Sequence, residues 1–284
     1  MIPIRVIRRR IRSIQSTAKI TRAMEMIAAS KMRQAQLRGL AARPYAEKMH
    51  EVVAHLAAQA QPGEELHPLL QRRDVKRIAV VHIAADRGLC GGLNANVNRM
   101  TVNFIVEQSV PVSSIAVGRR GRDFMSRYGQ DILAEFIHLG DQPSLLDTMP
   151  ISRVVIDDYT NEIIDQVFLA YTRFITTVHQ QPVLQELLPI EPVKMERAEN
   201  LEYIYEPSAP EVLQHLLPRY VEMQVYHAIL ESIASEQSAR MVAMRNATDN
   251  ANDMIEELTL ILNKARQELI TKELLDIAGG IGQQ

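Results

Sequence analysis

Residues 4–36 of the chain read IRVIRRRIRSIQSTAKITRAMEMIAASKMRQAQ. Apolar or small side chains recur there at alternating steps of three and four residues: Ile4, Ile7, Ile11, Ile14, Ala18 and Thr21. This spacing is the seam of a heptad repeat, in which one face of a long helix packs against another helix. The pattern continues through Met24, Ile27, Ala28, Met32 and Ala35. It predicts an N-terminal coiled-coil helix over residues 1–60, with a kink near Gly39 and Pro44.

The C-terminal part of the chain carries a second seam of the same kind. Its positions alternate by four and three residues: Ala251, Ile255, Leu258, Leu262, Ala265 and Leu269. The pattern predicts a C-terminal coiled-coil helix over residues 208–284, traced from about Glu211, kinked at Pro218 and stopped by Gly279 and Gly280. Two long seams at opposite ends of one chain indicate that the two helices pair antiparallel.

Between the two helices, residues 75–195 have the pattern of an α/β domain. An apolar strand over residues 77–84 (RIAVVHIA) leads through a glycine turn into a helix from Asn94. The later predicted elements are a strand at 114–117, a helix at 122–128, a helix through 154–163 and a strand at 165–171. The predicted fold class is α+β/α/β: a long antiparallel coiled coil of N- and C-terminal helices with an inserted small Rossmann-like α/β domain.

Composition limits the class of protein. The 284 residues are 46% hydrophobic and 23% charged, which is enough to bury a core and excludes a globally disordered chain. The single cysteine, Cys90, allows no internal disulfide and suggests a reducing, intracellular compartment. No apolar run approaches the ~20 residues of a membrane-spanning helix. We therefore expect a soluble chain, although it can sit beside a membrane.

The net charge of −2 hides a strong asymmetry along the chain. The bases that precede the first acid, Glu25, are Arg5, Arg8, Arg9, Arg10, Arg12, Lys19 and Arg22. After Glu211 acids outnumber bases. A basic, acid-poor start is also typical of a mitochondrial transit peptide or a nucleic-acid-binding arm. Neither needs a heptad seam, so we favour electrostatic complementarity between the two helices and expect no nucleic-acid partner.

The strongest candidate for chemistry is the glycine-rich turn at residues 86–94 (DRGLCGGLN), because such turns can cradle phosphate at a helix N-terminus. It lacks the glycine spacing of a dinucleotide fingerprint and the Lys-Ser/Thr pair of a P-loop. A structural tight turn is the favoured interpretation, with Cys90 as a packed residue. The histidines show no metal-ligand spacing, and Asp157 and Asp158 point apart on a helix. We predict no catalytic, cofactor-binding or metal site.

Four strings of the sequence resemble the gamma subunit of F-type (proton-transporting) ATP synthases in order and spacing. They are residues 11–36 (IRSIQSTAKITRAMEMIAASKMRQAQ), 86–94 (DRGLCGGLN), 235–250 (SEQSARMVAMRNATDN) and 263–274 (NKARQELITKEL). The resemblance covers nearly the whole chain. Asp276 and Ile281 depart from the family's closing pattern. The chain also lacks the inserted cysteine pair of chloroplast relatives, so a thiol switch of that kind is not expected.

The resemblance implies a central rotor shaft that transmits torque from the membrane c ring to catalytic beta subunits for ATP synthesis. The implied partners are three alpha and three beta subunits, the epsilon subunit and the c ring. The chain itself would have no catalytic role and no cofactor, and would lie peripherally on the cytoplasmic face of the bacterial cell membrane. It would also regulate ATPase activity and proton flow.

Seven residues take a role from the resemblance alone. Those implied to contact a beta subunit are Arg266, Gln267 and Thr271. Met24 and Arg240 are implied to influence coupling efficiency. Tyr203 and Glu206, in a connector (EYIYEP, residues 202–207), are implied to meet the c ring and epsilon. For each of them the structural alternative is an ordinary solvated, seam or connector residue.

Two other functional classes stay open at this point. A nucleotide-binding enzyme with helical arms would require a phosphate-binding loop and acid–base groups that the sequence does not display. A coiled-coil tether or scaffold with a non-catalytic α/β domain explains the heptads but gives the α/β domain no task. Tight nucleotide binding by the isolated chain would favour the first, and salt-sensitive DNA binding would favour the second.

Overall fold

A computed structural model describes residues 3–59, 67–190 and 209–281. The chain divides into two compact units. The first consists of Met1–Ala28 with Arg240–Gln284, and the second is Ala29–Ala239. The helices at the two ends of the chain have residues in both units. Each unit is described by itself below.

The first and last helices are long, as the heptads predict. Helix α1 runs over Ile4–Gln59 (56 residues) and continues through Pro44. Helix α5 runs over Ala209–Ile281 (73 residues) and continues through Pro218. Gly279 and Gly280 lie inside α5, so they do not end the helix where the sequence pattern places its stop.

In the first unit α1 and α5 pair antiparallel along the two predicted seams. Ile7, Ala18, Thr21, Ala28 and Ala251 are buried. The prediction was wrong at Ile27, which is 55% exposed. The seam advances from Thr21 by four residues to Glu25, which is 6% exposed, and then by three to Ala28. A heptad seam follows spacing rather than hydrophobicity, so the charged residue lies inside and the isoleucine outside.

The register of this pair also explains why predicted seam positions near the C-terminal end of α5 are exposed. Thr21 lies against Thr248. In an antiparallel pair each step forward on one helix is a step back on the other, so Ile4 lies opposite about residue 265. No described residue of α1 therefore lies opposite the part of α5 that follows. Leu269, a predicted seam position, is accordingly 42% exposed.

The second unit is built on a five-stranded sheet in the order β3-β2-β1-β4-β5. Its strands are β1 (Ile78–Ile83), β2 (Val112–Val117), β3 (Asp131–Phe136), β4 (Gln166–Phe174) and β5 (Gln180–Leu188). Its intervening helices are α2 (Leu93–Glu107), α3 (Arg119–Arg127) and α4 (Leu145–Thr160), and a short 3-10 turn occupies Pro68–Leu70. The first four strands are parallel and β5 is antiparallel to β4. The sequence analysis found β1, β2 and β4 but not β3 or β5.

Helices cover both faces of the sheet. Every residue of β1 is buried, in keeping with a strand that is apolar except for His82. One face packs against α4, through residues such as Ile151 and Val155, and against the part of α5 that includes Val221. On the other face α2 packs through Phe104, whose ring centroid is 4.8 Å from that of Phe168 on β4.

Gly118, between β2 and α3, is required by a close backbone approach. Its φ is +89°, in the region that disfavours any side chain, and it is the N-cap of α3. A Cβ built there would lie 2.0 Å from the carbonyl oxygen of Ala84, a backbone atom that has no freedom to move aside. Gly39 in α1 is the opposite case, because a Cβ there would meet nothing within 4 Å.

These two glycines give a matched pair of substitutions. Gly118→Ala is expected to destabilise the chain by about 3 kcal/mol or more, through backbone strain and the clash with Ala84. Gly39→Ala is expected to stabilise it by about 0.5–1 kcal/mol, because alanine is the better helix former. Urea unfolding followed by circular dichroism measures both. A neutral Gly118→Ala variant would contradict the geometry of the strand-to-helix turn.

Candidate functional site

The glycine-rich turn after β1 is surrounded by the protein's own hydrogen-bonding groups. The carboxylate of Asp86 accepts a hydrogen bond from the Arg119 backbone N–H (2.9 Å) and from the His138 backbone N–H (3.1 Å). The Ala85 carbonyl accepts the Arg120 N–H at 3.0 Å. The first two N–H groups of α3 are thus bonded to protein oxygens instead of facing a ligand. A carboxylate of the chain thus occupies the N-terminus of α3, where an anion would otherwise bind.

At the start of α2 a side chain holds the turn itself. Asn94 folds back on the turn: its Oδ1 accepts the Ala85 N–H at 3.0 Å, and its Nδ2 donates to the Cys90 sulfur at 3.3 Å. Cys90 is 2% exposed. The thiol is therefore a packed group of the turn, and the geometry favours the structural interpretation over a phosphate cradle or a nucleophile.

His82 is a buried titratable group near the C-terminal end of β1, the central strand of the sheet. Its Nδ1 lies 3.0 Å from Thr101 Oγ1 and its Nε2 lies 2.9 Å from Asn98 Oδ1, both on α2. On α3, a Cβ at Gly121 would approach the imidazole Cδ2 to 2.7 Å, so the helix packs directly on the ring. Burial lowers the pKa of His82 to about 4, opposed by the hydrogen bond to Asn98. The imidazole is neutral at neutral pH and acts as a core residue.

This burial predicts a pH dependence of stability. The unfolded histidine takes up a proton near pH 6.5, whereas the folded one resists protonation down to about pH 4. The His82 contribution is therefore complete above pH 6.5 and falls by about 3 kcal/mol as the pH drops towards 4. Urea unfolding between pH 4.5 and 8 measures it as the difference between wild type and His82→Gln. The exposed His179→Gln variant should keep the wild-type profile. Parallel profiles for wild type and His82→Gln would contradict the assignment.

In the first unit, the contact between α1 and α5 encloses a carboxylate. The Glu25 side chain is 8% exposed, and its oxygens accept hydrogen bonds from Arg22 Nη1 at 2.9 Å and Arg245 Nε at 3.0 Å. The arginine side chains are 62% and 57% exposed. The two cations therefore stay hydrated while the anion between them does not. This ion triad links the two helices across the seam.

One turn away, two hydroxyl groups meet across the same seam. Thr21 Oγ1 and Thr248 Oγ1 lie 2.7 Å apart. Each hydroxyl is also close to a carbonyl of its own helix, that of Ala18 at 3.1 Å and that of Met244 at 2.9 Å. The central part of the seam is therefore held by directional polar contacts and small side chains rather than by large apolar ones.

The ion triad predicts that removing its two cations costs more unfolding free energy than neutralising its anion. Glu25→Gln keeps the shape of the side chain and leaves two solvated arginines, so a loss of about 1 kcal/mol in unfolding free energy is expected. The double variant Arg22→Ala/Arg245→Ala strands a buried carboxylate and should cost about 3 kcal/mol. Chemical denaturation at neutral pH compares the two, with Arg33→Ala as an exposed control on α1. Equal losses would show that Glu25 is not desolvated.

The remaining candidate chemistry is sparse. Within residues 3–59, 67–190 and 209–281, no group of three or more His, Cys, Asp or Glu side chains is arranged to hold a metal ion. In the same ranges no helix has the length and apolar character needed to cross a membrane. The pKa of Asp158 is raised by partial burial and, to a smaller extent, by the charge of Asp157.

Comparison with known proteins decides the family. The family described as ATP synthase matches residues 3–282. The ATP synthase gamma chain of Dehalococcoides mccartyi strain 195 is 66% identical over 280 residues, which covers 99% of this chain and 98% of the relative. That of Herpetosiphon aurantiacus is 48% identical over 285 residues and covers 97% of each. The chain belongs to the ATP synthase gamma chain family.

Solved structures agree on the fold. A chain of the central stalk and c-ring structure of the Tetrahymena thermophila mitochondrial ATP synthase matches with a TM-score of 0.62 at 26% identity, covering 80% of this chain and 99% of that one. A chain of the Euglena gracilis mitochondrial ATP synthase matches with a TM-score of 0.68 at 20% identity, covering 98% and 93%. The resemblance and the predicted fold class are both confirmed.

The structure shows where the family's implied contact residues lie in this gamma chain. Arg266, Gln267 and Thr271 are exposed on α5, beyond the position that lies opposite Ile4, the first residue of α1. Met24 is half-buried and Arg240 is 9% exposed, both in the first unit. Tyr203 and Glu206 lie outside the described residues. The implied beta-contact residues thus form one exposed group near the C-terminal end of the helix.

Sequence reasoning missed the polar residues that hold the helices. Glu25 was not identified as a seam residue, although its step of four from Thr21 is a signal that could have found it. Asp141 and Gln142, which lie between β3 and α4, contact residues about a hundred positions away, and no local pattern points to them.

Proposed function

We propose that this gamma chain is the central rotor shaft of an F-type ATP synthase, transmitting torque from ion-driven rotation of the membrane c ring to the catalytic beta subunits. The observation that carries the proposal is the match to gamma chains over almost the full length, at up to 66% identity among the relatives described above. The paired long helices and the sheet unit supply the parts that such a shaft needs. The tether alternative has no observation in its favour that the shaft does not also explain.

The seam chemistry supports a rotating role. A shaft that turns inside a sleeve works best without a large continuous apolar face, because burying such a face creates deep energy minima. The helix pair buries small and polar residues such as Ala18 and Thr21. Its outer surface mixes exposed apolar residues, such as Ile20 and Leu260, with charged ones such as Lys19.

Asymmetry is what lets one shaft order three identical reactions. The two helices differ in sequence, so three identical beta subunits around them each meet a different surface. A contact that favours one conformation of beta over another shifts that subunit's nucleotide affinity. In this proposal catalysis lies in beta, and the gamma chain supplies no reacting group. Its rotation converts ion flow into ordered ADP phosphorylation.

The proposed partners are three alpha and three beta subunits, epsilon and the c ring, which would hold the chain peripherally at the cytoplasmic face of a bacterial membrane. Arg266, Gln267 and Thr271 would contact beta, since they are exposed where no described residue of α1 covers α5. Met24 and Arg240 would affect coupling through the helix pair, in which both lie. Tyr203 and Glu206 would meet epsilon and the c ring.

Reconstitution tests the proposal. The purified chain is mixed with alpha and beta subunits of a close relative, and complex formation and ATPase activity are measured. A stable complex with one gamma chain and gained activity is expected. If a control gamma chain assembles and this chain does not, the shaft proposal fails and the tether alternative replaces it.

The proposed beta contacts can be tested in the same complex. Arg266→Ala/Gln267→Ala is expected to lower the ATPase rate about tenfold or more, because removing polar partners at a desolvated contact costs about 1–2 kcal/mol for each residue. Arg153→Ala, an exposed arginine on α4, is the matched control and should leave the rate unchanged. An unaffected double variant would remove these residues from the contact.

A further inference from the structure

The loop between β3 and α4, residues 137–144, contacts α1 along about two helical turns in the second unit. Lys31 Nζ donates to Asp141 Oδ2 at 2.6 Å. The next loop residue, Gln142, accepts from Arg38 Nη2 at 2.6 Å and donates through its Nε2 to Gln34 Oε1 at 2.6 Å. Residues 31, 34 and 38 share one face of a helix because their spacing is three and four.

The same loop is also fixed to α5 and to the sheet. Asp141 Oδ1 accepts from Gln237 Nε2 at 3.0 Å, and Gln237 is only 2% exposed. The His138 N–H donates to Asp86 Oδ2 at the end of β1. His138 and Gly140 adopt positive φ angles of 63° and 79°, which turn the loop back towards the helices. One carboxylate, that of Asp141, therefore joins α1 to α5.

These contacts add a directional constraint to the apolar core that α1 and α5 share with the sheet. The hydrophobic effect itself is non-directional, so in the core the orientation of a helix is held by the fit of its side chains. A row of hydrogen bonds and an ion pair along one helix face fixes the rotation angle, because their geometry is specific. The ion pair is partly exposed, with side chains 32% and 34% accessible, so its part in overall stability is small.

We propose that the 137–144 loop, through Asp141 and Gln142, is a torque clamp that locks the rotation of α1 to α5 and the sheet unit. This inference rests on the proposed shaft function and assigns it a positioning element. Lys31, Gln34 and Arg38 are its contacts on α1, and Gln237 is its contact on α5. If these contacts are lost, the sheet can turn without turning the helices by the full angle. Fewer ions are then transported for each ATP hydrolysed.

The test is a charge swap in the complete enzyme, reconstituted in vesicles. The quantity measured is ion transport per ATP hydrolysed. Asp141→Lys and Lys31→Asp are each expected to lower this ratio at least twofold, by placing like charges together. The double swap Lys31→Asp/Asp141→Lys restores the ion pair and is expected to recover most of the ratio. Arg33→Asp and Asp157→Lys, matched reversals at exposed positions of α1 and α4, should keep the wild-type ratio.

The outcomes separate the clamp from the shaft. If the wild-type chain does not assemble, the shaft function itself fails. If it assembles and the single reversals behave like the controls, only the clamp is overturned. A lower melting temperature with an unchanged transport ratio also overturns it, since that is the signature of a merely structural contact. Should a reversal prevent assembly, Asp141→Asn and Gln142→Ala decide, because a wild-type ratio in both would refute the clamp.

Discussion

The register between α1 and α5 is the constraint on which the rest of the molecule depends. Thr21 against Thr248, and Glu25 against Arg245, fix which residues face each other over the helix pair. Small apolar side chains alone specify register weakly, because many offsets bury similar areas. A buried carboxylate does not tolerate a slip, since it would lose its cation in a desolvated place. The exposed end of α5 that carries Arg266 follows directly from this offset.

A seam of small and polar residues buries little apolar area but specifies the register of the two helices. Ala18 and Ala28 allow close helix packing but bury little area, so the hydrophobic contribution per turn is modest. In the second unit the same helices pack through larger residues, such as Met49 and Leu217, in one continuous core with the sheet. The larger apolar burial thus lies in the second unit, and the register-specific polar contacts described above lie in the first.

The parts predicted from sequence are those governed by local periodicity. The heptads located both long helices, and the buried run of β1 gave the centre of the sheet. Strand β3 was missed because its burial is partial along its length, and β5 because its polar residues and Pro182 resemble a loop until β4 pairs with it. The beta-contact residues were predicted only from the family resemblance, because exposure on a helix does not identify the partner that binds there.

At the carboxyl ends of the parallel strands, polar groups of the chain bond to one another. In open α/β sheets that edge is the place for a ligand, with helix N-termini turned towards it. Here Asp86 takes the first N–H of α3 and the N–H of His138, and Asn94 closes the turn above it. Gly118 permits the close strand-to-helix approach, and its N–H donates to the Phe136 carbonyl at 2.8 Å. The loop that donates the His138 N–H to Asp86 also carries Asp141, which accepts from Lys31 of α1 and Gln237 of α5. The carboxyl edge of the sheet is therefore where this loop joins the sheet to both helices.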